Sequence, residues 1–136
     1  VGAGDIVAFL GYNSPDMLVY LFACARLRAM LMPLNWRLTP REVKAIVDDI
    51  KPALLVAGEE FKQHGLAFGI RTMTYAELPR GGGDPHRDVD GAVSTQFCTS
   101  GTTGLPKGAM LTGGNLLNTG LCRPIEMPEK REGGRS

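Results

Sequence analysis

Cysteine and histidine are scarce in this chain, and neither charge sign prevails. The three cysteines, Cys24, Cys98 and Cys122, are an odd number without metal-ligand spacing. A disulfide framework and a zinc site are both poorly served by that pattern, which fits a reducing compartment. As small hydrophobes they need no further role. His64 and His86 have no partner at ligand spacing and read as surface residues. Fifteen basic residues against fourteen acidic ones leave a net charge of +1. No strongly charged partner is implied, which speaks against nucleic acid. Long hydrophobic runs are missing too. The longest uncharged apolar stretch, residues 17–25, is cut off by Arg26 and Arg28, whereas a membrane span needs about 20 residues. No charged segment precedes a signal-like core, so the expected location is the cytoplasm. The first residue is Val1 and not methionine, which suggests a piece of a longer protein.

What is present describes an ordinary globular chain: 136 residues, 43% hydrophobic and 21% charged. That is one modest domain, able to bury roughly two-thirds of its unfolded surface. Its apolar residues alternate between strand-like runs and helical patterns. Residues 5–11 read as a short buried strand closed by glycine. Ser14 suits a helix N-cap, Pro15 the first helical position, and Asp16 the positive end of the helix dipole. The following helix, residues 17–27, is apolar nearly all round, which predicts burial against a sheet.

A second strand is expected over 29–34. Thr39 and Glu42 have the spacing of a capping box, and Val43, Ile46, Val47 and Ile50 make one amphipathic face. Pro52 ends that helix, and residues 53–57 form a third strand. Alternating strands and helices predict an α/β fold, a doubly wound, mainly parallel sheet with flanking helices. Phe61, Leu66 and Phe68 suit a short helix, and residues 73–78 a brief edge strand or turn. Residues 79–90 are rich in Gly, Pro, Asp and Arg and read as an exposed linker. Asp84, Asp88 and Asp90 within it, and the Asp48–Asp49 pair, read as solvated. Residues 92–98 return to strand character. Thr112 then suits the cap of a helix over about 113–121. Trp36 reads as packing or interface.

The densest chemistry lies at residues 99–108, TSGTTGLPKG. Gly101, Gly104 and Gly108 allow backbone N–H groups to curl around an anion. Thr99, Ser100, Thr102 and Thr103 add hydroxyl donors, and Lys107 adds a positive charge, with no acid among them. Such a set suits a polyphosphate. The Walker A pattern fails, because Leu105 and Pro106 separate Gly104 from Lys107 and Gly108 follows the lysine.

The string resembles instead the phosphate-loop signature of the adenylate-forming, AMP-binding superfamily of acyl-CoA synthetases, luciferases and peptide-synthetase adenylation domains. All nine fixed positions of that signature are present. The similarity extends over about residues 4–121. It includes the helix start at Asn13-Ser14-Pro15-Asp16 and the segment Pro33-Leu34-Asn35-Trp36-Arg37-Leu38-Thr39. Asn35 and Thr102 favour the CoA-ligase branch, since carrier-loading adenylation domains tend to have Asp and Ser there. The chain departs from the family pattern at Arg28, where glycine is usual, at Cys98, usually tyrosine, and at Gly113, often histidine.

The resemblance implies part of the N-terminal domain of an ATP-dependent carboxylate–CoA ligase. Such an enzyme activates a small carboxylic acid as acyl-AMP and passes it to coenzyme A. ATP is the implied nucleotide, with Mg2+ and coenzyme A implied by the family alone. The implied phosphate-binding residues are Thr99, Ser100, Gly101, Thr102, Thr103, Gly104 and Lys107, and no catalytic or metal-ligating residue is implied here. Residues 1–121 would be the partial domain and residues 122–136 a disordered or aberrant tail. The family's adenine, acyl and lysine-bearing carboxy-terminal parts lie downstream of the matched region. Two other readings stand beside this one: an adenylation domain loading a carrier protein, and a non-catalytic phosphate-binding remnant.

Overall fold

A computed structural model describes residues 1–78, 93–99, 107–116 and 118–119. The expected linker at 79–90 and the tail at 122–136 lie outside the described residues. Six strands form one sheet in the order β4-β3-β1-β2-β5-β6. β1 (Ile6–Leu10) pairs in parallel with β2 (Met30–Leu34) on one side and with β3 (Leu54–Ala57) on the other. β4 (Thr72–Thr74) continues the parallel sheet beyond β3, and β5 (Val93–Thr99) continues it beyond β2. β6 (Lys107–Thr112) closes that edge antiparallel to β5. The expected α/β, doubly wound, mainly parallel sheet is therefore present.

Strand side chains alternate between faces, and the two cores follow that alternation. Ala8, Leu10, Met32, Leu34, Leu55 and Ala57 face α2 (Pro40–Ile50), which contributes Val43 and Val47. Val7, Phe9, Leu31, Leu54 and Val56 face the opposite way, towards Cys24 of α1 (Pro15–Arg26). Phe9 and Leu10 are each 1% exposed, so neighbouring residues of one strand anchor both layers. Each such side chain contributes about 1.5–3 kcal/mol by leaving water. Burial also pushes the Cys24 thiol up to about 11, leaving it protonated and inert.

The two long helices start differently. The Thr39 hydroxyl accepts from the Glu42 N–H, and the Glu42 carboxylate accepts from the Thr39 N–H. This is the expected capping box, worth about 1 kcal/mol. The Thr39 hydroxyl donating to the Glu42 carboxylate at 2.7 Å, and after it the Thr39 N–H, hold that carboxyl below its usual range. Ser14 has the extended backbone of an N-cap, but its side chain makes no cap bond. The Met17 N–H is taken by the Ser14 carbonyl at 3.1 Å, and the Ser14 hydroxyl is buried without a partner among the described residues.

α1 also departs from expectation in its burial. Only Cys24 is fully buried, while Leu18, Val19 and Phe22 are 52%, 61% and 66% exposed. One helix lying on one sheet can bury only one stripe, and the described residues supply nothing over the outer face.

A short 3-10 turn, Glu59–Phe61, leads into α3 (Lys62–Ala67). Phe61 is buried and Phe68 packs on the core, but Leu66 is exposed. Lys62 bonds Glu77 at 2.6 Å, tying α3 to the turn after β4. That bond holds the lysine's pKa above, and the carboxyl's below, their ordinary values. Beyond β6, residues 113–116 and 118–119 are helical. The Thr112 hydroxyl accepts from the Asn115 N–H at 3.2 Å, the cap expected there.

Arg28, where the resembling family usually has glycine, takes φ +55°. Its N–H bonds the Ala25 carbonyl and its carbonyl accepts from the Gly4 N–H, so the turn needs that left-handed backbone. A side chain there costs about 1–2 kcal/mol, partly offset by glycine's greater entropy loss on folding. Arg28→Gly is expected to raise the unfolding free energy by about 0.5–1 kcal/mol. Urea melts check this through a higher midpoint at constant slope; a lower midpoint would assign the Arg28 side chain a stabilising contact.

Candidate functional site

β1, β2, β3 and β5 run the same way, so their carboxyl ends share one edge of the sheet. β5 ends there at Thr99, and β6 returns from the same place, beginning at Lys107. The two residues are cross-strand partners, which puts their backbones about 4.5–5.5 Å apart. The last residue of β5 and the first of β6 thus stand side by side on the carboxyl edge, and residues 100–106 between them lie outside the described residues. Lys107, read from the sequence as a loop lysine, is the first residue of a strand. Ser100, Gly101, Thr102, Thr103 and Gly104 lie outside the described residues, and Thr99 and Lys107 are described in their backbone.

Beneath the hairpin, Gly108 pairs with Cys98, and the Gln96 side chain lies where a Cβ at 108 would be. This glycine serves by close approach, and not by the unusual torsion its place in the motif suggested. Thr95, on the other face of β5, is 1% exposed. Its hydroxyl donates to the Leu31 carbonyl of β2 at 2.7 Å.

Two other loops open on the same edge. A cleft of about 250 Å³ lies between the ends of β1 and β2, lined by Gly11, Asn13, Asn35, Trp36 and Arg37 among others. The Arg37 N–H donates to Asn35 Oδ1 at 3.0 Å, a local turn typical of asparagine. The Arg37 guanidinium stands 4.2 Å over the Trp36 ring. Tyr12 meets Trp36 edge-on, with ring centroids 4.8 Å apart. Trp36 is therefore packing, as expected, and also the floor under an exposed cation. The pairing of Trp36 with Tyr12 was not legible, because the two lie on separate loops.

In doubly wound sheets ligands favour the crevice where strand connections diverge. Here β1 leads to β2 and β3 leads to β4 in opposite directions, so the divergence lies between β1 and β3. That position is filled from within. The Tyr75 hydroxyl occupies the space of a side chain at Gly11, its ring stacked on Phe9 at 5.6 Å. Burial, with Tyr20, Asp16 and Glu60 nearby, pushes the Tyr75 phenol up to about 12. The open space accordingly lies on the β2 side, towards the hairpin. A larger depression of about 430 Å³, with Asp48, Lys51 and Arg71 on its rim, lies at the amino edge, away from the motif.

Among the described residues no group of three acidic, histidine or cysteine side chains can hold a metal. His64 and Asp48 are exposed, as expected. No helix of the described residues is long and apolar enough to cross a membrane.

The family model described as AMP-binding enzyme matches residues 1–132, the hairpin included. The chain belongs to that family. An indoleacetate–CoA ligase of Aromatoleum aromaticum is 41% identical over 129 residues, covering 81% of this chain and 25% of that enzyme. A fatty acid–[acyl-carrier-protein] ligase of Streptomyces coeruleorubidus is 35% identical, covering 79% and 23%. Among solved structures, O-succinylbenzoate coenzyme A synthetase of Bacillus subtilis with AMP matches with a TM-score of 0.80 at 25% identity. The match covers 95% of this chain and 35% of that one. The chain spans about a quarter of the length of the curated relatives it matches. As a member of the AMP-binding family, it carries a mainly parallel α/β sheet like that of the solved relative, with β5 and β6 paired at one side.

Gly11 tests how that edge is packed. Gly11→Ala drives a methyl group into the Tyr75 hydroxyl and is expected to cost about 1–3 kcal/mol. Tyr75→Phe beside it should recover at least half of the loss in a double-mutant cycle. Simple additivity of the two changes in denaturant melts would contradict the packing described.

Proposed function

We infer that these residues are the phosphate-binding part of an ATP-dependent carboxylate–CoA ligase. The observation that carries the reading is the hairpin: a motif of hydroxyls, glycines and one lysine, with both ends fixed at the sheet edge where α/β folds bind ligands. In the proposed reaction a carboxylate oxygen attacks the α-phosphorus of ATP. The bond to the β-phosphate oxygen breaks, acyl-AMP forms, and pyrophosphate leaves with added negative charge. A thiol, that of coenzyme A, then takes the acyl group and AMP departs.

The residues of this chain act on the phosphates. The hydroxyls of Thr99, Ser100, Thr102 and Thr103 and the N–H groups of Gly101 and Gly104 donate to the β- and γ-phosphates. Lys107 supplies a full charge, and charge-assisted bonds of this kind are the stronger ones. Donors preset where charge develops lower the barrier without reorganising. The donor set fits a polyphosphate. Mg2+, implied by the family alone, would neutralise charge on the phosphates when bound. Coenzyme A and the carboxylic acid enter this reading from the family.

In the same reading residues 1–121 form the partial domain and residues 122–136 a tail outside it. The buried free thiol of Cys24 supports a reducing, cytoplasmic setting. A second reading, loading of a carrier protein, has support from the similarity to the carrier-protein ligase, and Asn35 and Thr102 weigh against it. In a third the chain binds phosphate without catalysis.

Carboxylate-dependent ATP–pyrophosphate exchange separates the non-catalytic reading from the two enzymes, which share the adenylation step. In the ligase carrying these residues, Lys107→Ala should lower exchange about 10- to 100-fold, the loss of one charge-assisted bond of about 1.5–3 kcal/mol. Its melting temperature should stay unchanged. The 136 residues alone are expected to bind pyrophosphate without exchange. Full exchange by the lysine variant would remove Lys107 from the mechanism, and exchange by the short chain would refute its dependence on further segments.

A further inference from the structure

Thr95 carries a polar group that the phosphate chemistry does not use. It is 1% exposed in the middle of the sheet, where valine would be the ordinary occupant. A buried hydroxyl costs free energy unless it is bonded, and this one bonds the Leu31 carbonyl at 2.7 Å. The place of that bond gives it meaning. The β1–β2 ladder runs from Ile6↔Met30 to Leu10↔Leu34, and the hairpin ladder from Val93↔Thr112 to Thr99↔Lys107. Among the described residues β2 and β5 share one register pair, Leu31↔Thr95. Just upstream, between Val93 and Thr95, the hairpin register shifts, so its pairing is irregular at that end.

Strands rise about 3.3 Å per residue, and a shift that keeps the same face inward takes two residues. Sliding β5 along β2 by that step would move Thr99 by about 6.6 Å, more than twice a hydrogen-bond length. Thr95 stands four residues before Thr99, with strand between them. We propose that Thr95 is a positioning residue for the phosphate hairpin. Its buried bond to Leu31 sets the height at which Thr99 and Lys107 stand on the carboxyl edge. The hydroxyl touches no phosphate and acts through the strand. This inference rests on the phosphate-binding reading for its functional consequence, and on the sheet alone for its structural one.

The test uses the full chain with inorganic pyrophosphate as the probe, and compares Thr95→Val, Thr95→Ser and Ile46→Val. Pyrophosphate affinity is read by calorimetry and strand height by amide hydrogen exchange at Thr99 and Lys107. Thr95→Val should weaken pyrophosphate binding about tenfold, the equivalent of one hydrogen bond. It should speed exchange at Thr99 and Lys107 by a similar factor, with the Val7 and Leu55 amides unchanged. Thr95→Ser, which keeps the hydroxyl, should restore both to within about threefold. Ile46→Val, a core change costing about 0.5–1.5 kcal/mol, should leave affinity unchanged. Wild-type behaviour of Thr95→Val would overturn the proposal, as would a Thr95→Ser variant as impaired as the valine. Should Thr95→Val not fold, loss of protection in Thr95→Ser would still refute the role and retained protection would support it. If the unaltered chain binds no pyrophosphate, the phosphate-binding reading fails, while the exchange measurements still decide whether Thr95 sets the strand.

Discussion

Parallel pairing of β1, β2, β3 and β5 is the constraint on which the rest depends. Because these strands run one way, every loop that follows them opens on one edge. Gly11 to Asn13, Asn35 to Arg37 and the hairpin after Thr99 are far apart in sequence, and this polarity alone brings them to one edge. The antiparallel return of β6 adds the last element. It makes Thr99 and Lys107 cross-strand partners, so two residues eight apart in the chain stand side by side on that edge.

The sheet limits the site as well as building it. The divergence between β1 and β3, where such folds commonly bind ligands, is filled by Tyr75 against Gly11. Open space remains between β1 and β2, with Arg37 over Trp36 beside it. Among the described residues, this part of the edge combines the Tyr12 and Trp36 rings with the Arg37 guanidinium. The Tyr75 phenol at this edge is raised to about 12, mainly by burial.

Much of this was legible in the residues. Short continuous apolar runs bounded by glycine, proline or charged residues marked β1, β2 and β3, and the Thr39–Glu42 spacing marked the start of α2, because both signals are local. The motif at residues 99–108 stood out because its glycines, hydroxyls and lysine are concentrated in ten consecutive residues. What local pattern could not carry was long-range pairing. The strand state of Lys107 depends on its partner Thr99, and the need for glycine at 108 depends on Gln96. The α1 helix misled for a related reason. An apolar circumference reports that a helix is covered in its final setting, and the described residues cover only one side of it. Ser14 looked like a cap by type, yet the backbone carbonyl claimed the N–H it would have served.

The most direct test of the account is a crystal structure of the chain with pyrophosphate. The account predicts pyrophosphate density inside loop 100–106 at the carboxyl edge, with Lys107 Nζ and the Thr and Ser hydroxyls within hydrogen-bond distance. Density only at the amino-edge depression near Lys51 and Arg71, or Lys107 turned away from the anion, would contradict it.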